Sequence, residues 1–263
     1  MLYDYETLLR GKRYRPKSNY HGHNYMCGHA AGTVCDYVKA AIESGLEVIG
    51  ISDHCVPPIG SYEPYITLDT LVGEYLPQFA EAERKYGDKI TIKKGVEIEF
   101  FPDCDEYYNK LLDKLDYLVM GQHEFLMNGS RMSSFFDGTD EKKVCAYLEN
   151  VIRGIESGYF ALVAHPDLIL YRNPAITTAI ERAFDNLVQS AKNNSVPLEL
   201  NANGVRNHGF RYPTEILVRL CKKHGAPVVV SSDCHMPKEV CDGAMIDLYT
   251  YAKAKGLNVV DEI

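Results

Sequence analysis

Two histidines one residue apart, His21 and His23, close the extended stretch Asn19-Tyr20 and are followed by His29. Residues i and i+2 of a strand project from one face, so both rings can reach the same point. One such pair says little, but its echo along the chain constrains the fold. Apolar runs that end in ligand-type residues recur at Ile51-Ser52-Asp53-His54, Gly95-Val96-Glu97, Gly121-Gln122-His123, Val163-Ala164-His165 and Ser231-Ser232-Asp233-Cys234-His235. Every histidine except His208 and His224 falls into this pattern. It points to a polynuclear metal site at the ends of buried strands.

Between these runs the chain reads as helix. Thr33-Val34-Cys35-Asp36 is a helix-start signal, and Val34, Tyr37, Val38, Ala41 and Ile42 then recur at helical spacing before Gly45. Strands are expected at 47–52, 89–97, 117–121, 160–164, 197–200 and 227–231, after the first one ahead of His21. Helices are expected at 68–86 (broken near Pro77), 105–115, after Asp140, from Thr178, at 214–224 and at 243–255. The stretch from 121 to 140 reads as a polar loop and the C-terminal residues as a short tail. This alternation predicts an α/β chain with right-handed crossovers and a parallel sheet. An open doubly wound sheet gathers its chemistry at one switch point, whereas ligands here arise from the first, second, third, fourth, fifth and seventh strands. A barrel brings all strand ends to one face, so a distorted TIM-like (β/α)7 barrel is expected, one domain over 19–263 behind an extension over 1–18.

The charge balance narrows the partners. A net charge of −8 over 263 residues disfavours a nucleic-acid surface, which needs clustered Lys and Arg, but permits a small phosphorylated substrate in a locally positive pocket. No apolar run approaches membrane-spanning length, residues 1–18 are polar and basic, and a cytoplasmic location without membrane partners is expected. The eight cysteines show no Cys-x-x-Cys pairs and read as small buried hydrophobes. Oligomeric state is not legible.

The motifs resemble those of the polymerase and histidinol phosphatase (PHP) family of metal-dependent phosphoesterases. The resemblance rests on His21-Gly22-His23 with His29, Ser52-Asp53-His54, Glu97, His123, His165, and Asp233 with His235. It implies a PHP fold and a trinuclear centre of zinc, iron or manganese. His21, His23, Glu97 and Asp233 would hold one ion, Glu97 would bridge to a second held by His123 and His165, and His29, His54 and His235 would hold a third. The amidohydrolases also open with His-x-His, but a carboxylated lysine usually bridges their metals, where Glu97 stands here. Clustered metal charge lowers the pKa of a bridging water from about 15.7 toward roughly 7, and the hydroxide can attack a phosphoryl group in line. Asp233 would relay its proton.

A narrower resemblance is to the histidinol-phosphatase branch of the family. Cys27-Gly28-His29-Ala30, the stretch from Glu199-Leu200-Asn201 through Gly204-Val205-Arg206 to Tyr212-Pro213, and His165-Pro166-Asp167 leading to Arg172 carry it. It implies hydrolysis of L-histidinol phosphate in histidine biosynthesis. Arg206 would grip and activate the phosphate, Arg172 would be a second anchor, and His208 would face substrate. Asp53 and Asp167 read as partners that orient histidine rings. Tyr62, Tyr65, Phe100 and Phe101 are candidate walls for an imidazole. The general acid is not legible. Competing readings are another small phosphoester, such as a sugar phosphate or nucleotide, phosphotyrosine, a nuclease, or a non-catalytic metal-binding barrel.

Overall fold

A computed structural model describes residues 11–59, 65–207 and 212–263. Among these, eight parallel strands form one sheet in the order β1 (Ser18–Asn19), β2 (Val48–His54), β3 (Thr91–Ile98), β4 (Tyr117–Met120), β7 (Leu162–Val163), β8 (Leu198–Asn201), β9 (Pro227–Ser231) and β10 (Asn258–Val259). An antiparallel hairpin, β5 (Glu124–Met127) and β6 (Ser130–Ser133), stands apart from it. The expected α/β class with a curled parallel sheet is what forms. The count differs by one, because the expected tail contains the two-residue β10.

β9 is flanked differently along its length. Its foot pairs with β10, Asn258 opposite Pro227 and Val259 opposite Val228. Beyond its end, Cys234 forms a parallel bridge with Gly22, the continuation of β1. His23 N donates to Cys234 O and Asp233 N to His21 O, each at 2.9 Å. The Asn19 side chain completes the join, donating to Ser232 Oγ at 2.7 Å and accepting from Ser232 N at 3.0 Å. Gly22 is required there, because a Cβ would lie 2.7 Å from Cys234 Sγ. The sheet therefore curls until the continuations of β1 and β9 meet at the mouth.

The crossovers are α1 (Val34–Ser44), α2 (Leu76–Tyr86), α3 (Asp105–Leu112), α4 (Glu141–Glu156), α5 (Thr178–Asn193), α6 (Ala202–Arg206), α7 (Glu215–His224) and α8 (Gly243–Ala254). Thr33 caps α1 with a full capping box to Asp36, and Gly45 ends it in the left-handed region. The break near Pro77 is a π-helical stretch, Leu71–Tyr75, leading into α2; proline has no N–H for the regular ladder, and the wider turn absorbs the fault. On α5, Ile180, Phe184, Leu187, Val188 and Ala191 are buried, the large ones stabilising by about 1.5–3 kcal/mol each. Helix faces like this build the outer core. A smaller one fills the lower barrel with Tyr20, Tyr117, Val119, Leu162, Ala164 and Val229. Tyr117 lies over Gly50 and Gly95, where a Cβ would come within 2.2 Å of its hydroxyl and 2.3 Å of its ring respectively, and donates to Tyr20 O at 2.8 Å.

The hairpin corrects the polar-loop expectation for 121–140. Asn128 and Gly129 both take positive φ (52° and 77°), as a tight two-residue hairpin turn requires. The described part of the extension lies along α8: Tyr14 N and O each bond Thr250 Oγ1 at 3.1 Å, and Arg13 pairs with Asp247.

Candidate metal centre

The upper ends of the strands deliver their polar residues to one place. Around Glu97 Oε2, His21 Nε2 lies at 3.4 Å and His23 Nε2 at 3.6 Å. His21 and His23 Nε2 are 3.2 Å apart, and Asp233 Oδ1 is 3.1 Å from His23 and 3.7 Å from His21. Ligand atoms about 2.0–2.1 Å from one tetrahedral ion stand about 3.3 Å from each other. These five separations are edges of such a tetrahedron. Glu97 Oε2 is itself buried without a hydrogen bond. The set thus fits a cation.

The other carboxylate oxygen serves a second group. Glu97 Oε1 lies 3.0 Å from His165 Nε2 and 3.6 Å from His123 Nε2. His54 Nδ1 approaches Oε2 at 3.0 Å, and the His54 and His235 rings stack beside His23 at 4.3 and 4.4 Å. His23, His54 and His235 form one ligand-competent triad, and His54, Glu97 and His123 another. His29 is peripheral: its ring centroid is 5.2 Å from His54 and 5.0 Å from His235, and it joins no such triad among the described residues.

Backbone and neighbours aim these rings. His165 and Asp233 take positive φ (29° and 46°), so the chain turns sharply where β7 and β9 end. Gly121 gives Glu97 its room, because a Cβ there would sit 1.9 Å from Oε1. His21 Nδ1 meets Glu199 Oε1 at 2.8 Å, His23 Nδ1 meets Asp53 Oδ1 at 3.2 Å, and His123 Nδ1 meets Glu99 Oε1 at 3.3 Å. His29 and His235 turn Nδ1 to the carbonyls of Cys27 (3.0 Å) and Asp233 (3.2 Å). An acceptor on Nδ1 fixes that nitrogen as the N–H and leaves Nε2 its lone pair for a metal. Asn201 (3.0 Å) and Asn203 (3.3 Å) donate to Asp233 Oδ2, and Asn201 also donates to Glu199 at 2.7 Å.

Charge follows the same geometry. Burial opposes ionisation throughout, yet His123, His21 and His54 pull Glu97 well below the usual carboxylate range, and His21 and His23 do so for Asp233. Burial also opposes protonation of His23, but Asp233, Asp53 and Glu97 raise it to about 9. Burial and the cationic His23 push His54 down to about 3 and His235 to about 4. The acids thus demand positive charge inside the cluster, and His54 and His235 are held in the neutral form that ligates.

Above the cluster opens a cavity of about 790 Å³. Arg206 lines it from α6, with Nε 2.7 Å from Asp242 Oδ2 and contacts to the carbonyls of Ser232 (3.2 Å) and Glu239 (3.4 Å). Arg172 requires a correction. It ends the turn Leu168–Arg172, exposed and outside the cavity lining, with its guanidinium over the rings of Phe136 (5.1 Å) and Tyr171 (5.8 Å). Asp167 bonds no ring among the described residues; it accepts from Thr214 N at 2.5 Å. Phe100 and Phe101 are core residues, whereas Tyr65 lines the cavity. His208 and Tyr62 lie outside the described residues. Sequence reasoning assigned no role to Glu199 or Glu99, and it missed the hairpin wall despite the Asn128-Gly129 signal.

Fold and site together define a metal-dependent hydrolase on a curled parallel sheet. The PHP domain model matches residues 19–203, and the chain belongs to that family. Its curated relatives carry the names of phosphatases, which are phosphoric monoester hydrolases. A probable histidinol-phosphatase of Deinococcus radiodurans is 26% identical over 84% of this chain and 86% of its own length. A probable phosphatase of Acetivibrio thermocellus is 28% identical over 84% and 80%. Histidinol phosphate phosphatase of Lactococcus lactis, solved with zinc, L-histidinol and phosphate, shares the fold with a TM-score of 0.73 at 19% identity, covering 93% of this chain and 95% of that one. No described helix is long and apolar enough to cross a membrane.

Proposed function

We propose that this chain removes phosphate from L-histidinol phosphate, using three divalent or trivalent metal ions held by His21, His23, His29, His54, Glu97, His123, His165, Asp233 and His235. The observation that carries the reading is the double engagement of Glu97, whose two oxygens face different sets of rings within 3.0–3.6 Å. The name of the Deinococcus relative and the likeness to the Lactococcus enzyme support the substrate. Ions bound there would acidify water and offset the charge of a phosphoryl group. Asp233, its Oδ2 held by two amide donors and its Oδ1 turned toward His21 and His23 among the ligand atoms, would relay the proton of the attacking water. Arg206 and Asn203 line the side of the cavity where phosphate oxygens would sit. Arg206 arrives there pre-oriented by Asp242.

Elemental analysis of purified protein, paired with phosphate release from a substrate panel, tests this. About three ions per chain and a preference for histidinol phosphate over p-nitrophenyl phosphate are expected. Equal turnover of the two removes the substrate assignment. The relatives named simply as probable phosphatases support a second reading, another small phosphoester, which the same panel would reveal.

A further inference from the structure

The cavity has two unlike walls. On one side stand Asn203 and Arg206 of α6 with Tyr212, and Glu239, whose Oε2 is taken by the N–H groups of His235 and Met236 at 3.1 Å each. On the other stand Glu99, Glu124, Ser133, Tyr65 and Phe135. The second wall holds two carboxylates and two aromatic rings; no Lys or Arg lines it among the described residues, and the cation that meets it, Arg131, stands outside the lining with Nε 2.9 Å from Glu124 Oε2. Phe135 lies parallel to the His123 ring (5°, centroids 6.0 Å apart), and Tyr65 leans over His54 at 4.9 Å. The ring faces therefore stand beside the cluster.

A phosphate dianion is repelled by two carboxylates and attracted by a guanidinium, so a bound ester has one favoured direction: phosphoryl oxygens toward α6, alcohol toward the hairpin wall. Carboxylates beside aromatic faces are the surroundings a positively charged nitrogen seeks. We propose that Glu124, on the first strand of the hairpin, is a specificity-determining residue that selects phosphomonoesters of alcohols bearing a cationic nitrogen. Glu99 adds charge to the same wall but also orients His123, so Glu124 is the residue with which selection can be tested apart from metal holding. Arg131 of β6 fixes the Glu124 rotamer, with Nε 2.9 Å from Oε2. It also lies over Phe101 at 5.4 Å and reaches the carbonyl of Ile59, tying the hairpin to the loop after β2. A pre-set carboxylate loses little side-chain freedom on binding. The inference rests on the phosphatase reading, though not on histidinol phosphate being the alcohol's identity.

The test compares 3-aminopropyl phosphate with propyl phosphate, equal in length and differing in charge. Metal-loaded wild-type protein should favour the amine by about tenfold to a hundredfold in kcat/KM, the range of one ionic hydrogen bond. Glu124→Gln should bring that ratio down about tenfold or more. A wild-type ratio near one overturns the proposal whatever the variant does, and so does an unchanged ratio in a folded Glu124→Gln protein. If histidinol phosphate fails in the panel while the amine ratio is high, the particular substrate falls and this inference stands. Turnover of histidinol phosphate with a ratio of one does the reverse.

Discussion

The lower and upper halves of the barrel are built from the same strands and differ in almost everything else. Below, Tyr20, Val119, Leu162 and Val229 fill the interior with apolar contacts. A few residues further along the same strands, His21 faces Asp233 at 3.7 Å, and His123 and His165 meet Glu97 at 3.6 and 3.0 Å. The lower half stabilises the fold. The upper half works against it, since burying ionised groups costs free energy that pairing and bound cations must offset. A strand that spends its first residues on packing can spend its last ones on chemistry.

Substitutions can break this division, and the largest effect is expected at the top. Asp233→Asn or His123→Ala should lower phosphate release by more than about a thousandfold while circular dichroism stays native, because electrostatic assistance dominates phosphoester hydrolysis. A variant within tenfold of wild type would contradict the mechanism. At the bottom, Tyr117→Ala should cost about 3–5 kcal/mol in denaturant unfolding, yet leave metal content unchanged below the midpoint. Loss of ions from the folded variant would show that the halves are not separable. Gly121→Ala lies at the boundary. Its new methyl would collide with Glu97, so about a hundredfold loss of activity with a sub-stoichiometric ion count is expected. Glu199→Gln should weaken metal affinity about tenfold to a hundredfold with a smaller change in stability, as measured by chelator competition.

The smallest effect concerns protons. His23, raised to about 9, carries a proton at neutral pH and must release it to ligate. Metal binding should therefore release protons at pH 7.5 and strengthen as pH rises toward about 9, which calorimetry in two buffers of different ionisation enthalpy would detect. Binding that does not change with pH would mean that the ring is neutral from the start.

The upper half was more legible in sequence than the lower. Ligands such as His54 and His165 announce themselves because a polar residue ending an apolar run is unusual, and the parallel sheet follows from the spacing of those runs. The lumen residues look like any other strand residues. Ring orienters are hidden for another reason: Glu199 meets His21 across 178 positions, a pairing set by sheet curvature that no local pattern encodes. Arg172 looked like a phosphate anchor by position alone, and Phe136 and Tyr171 claim its guanidinium instead. The hairpin was missed although Asn128-Gly129 advertises it, because strands of four residues, Glu124–Met127 and Ser130–Ser133, are too short to show an alternation.

The main-chain join between Gly22 and Cys234 ties the earliest ligands to the latest. Donors separated by more than two hundred residues are thereby set side by side by backbone bonds, His23 N to Cys234 O and Asp233 N to His21 O. A chain cut short before β9 would keep the His54, Glu97 and His123 group but lose every ion position that draws on Asp233 or His235.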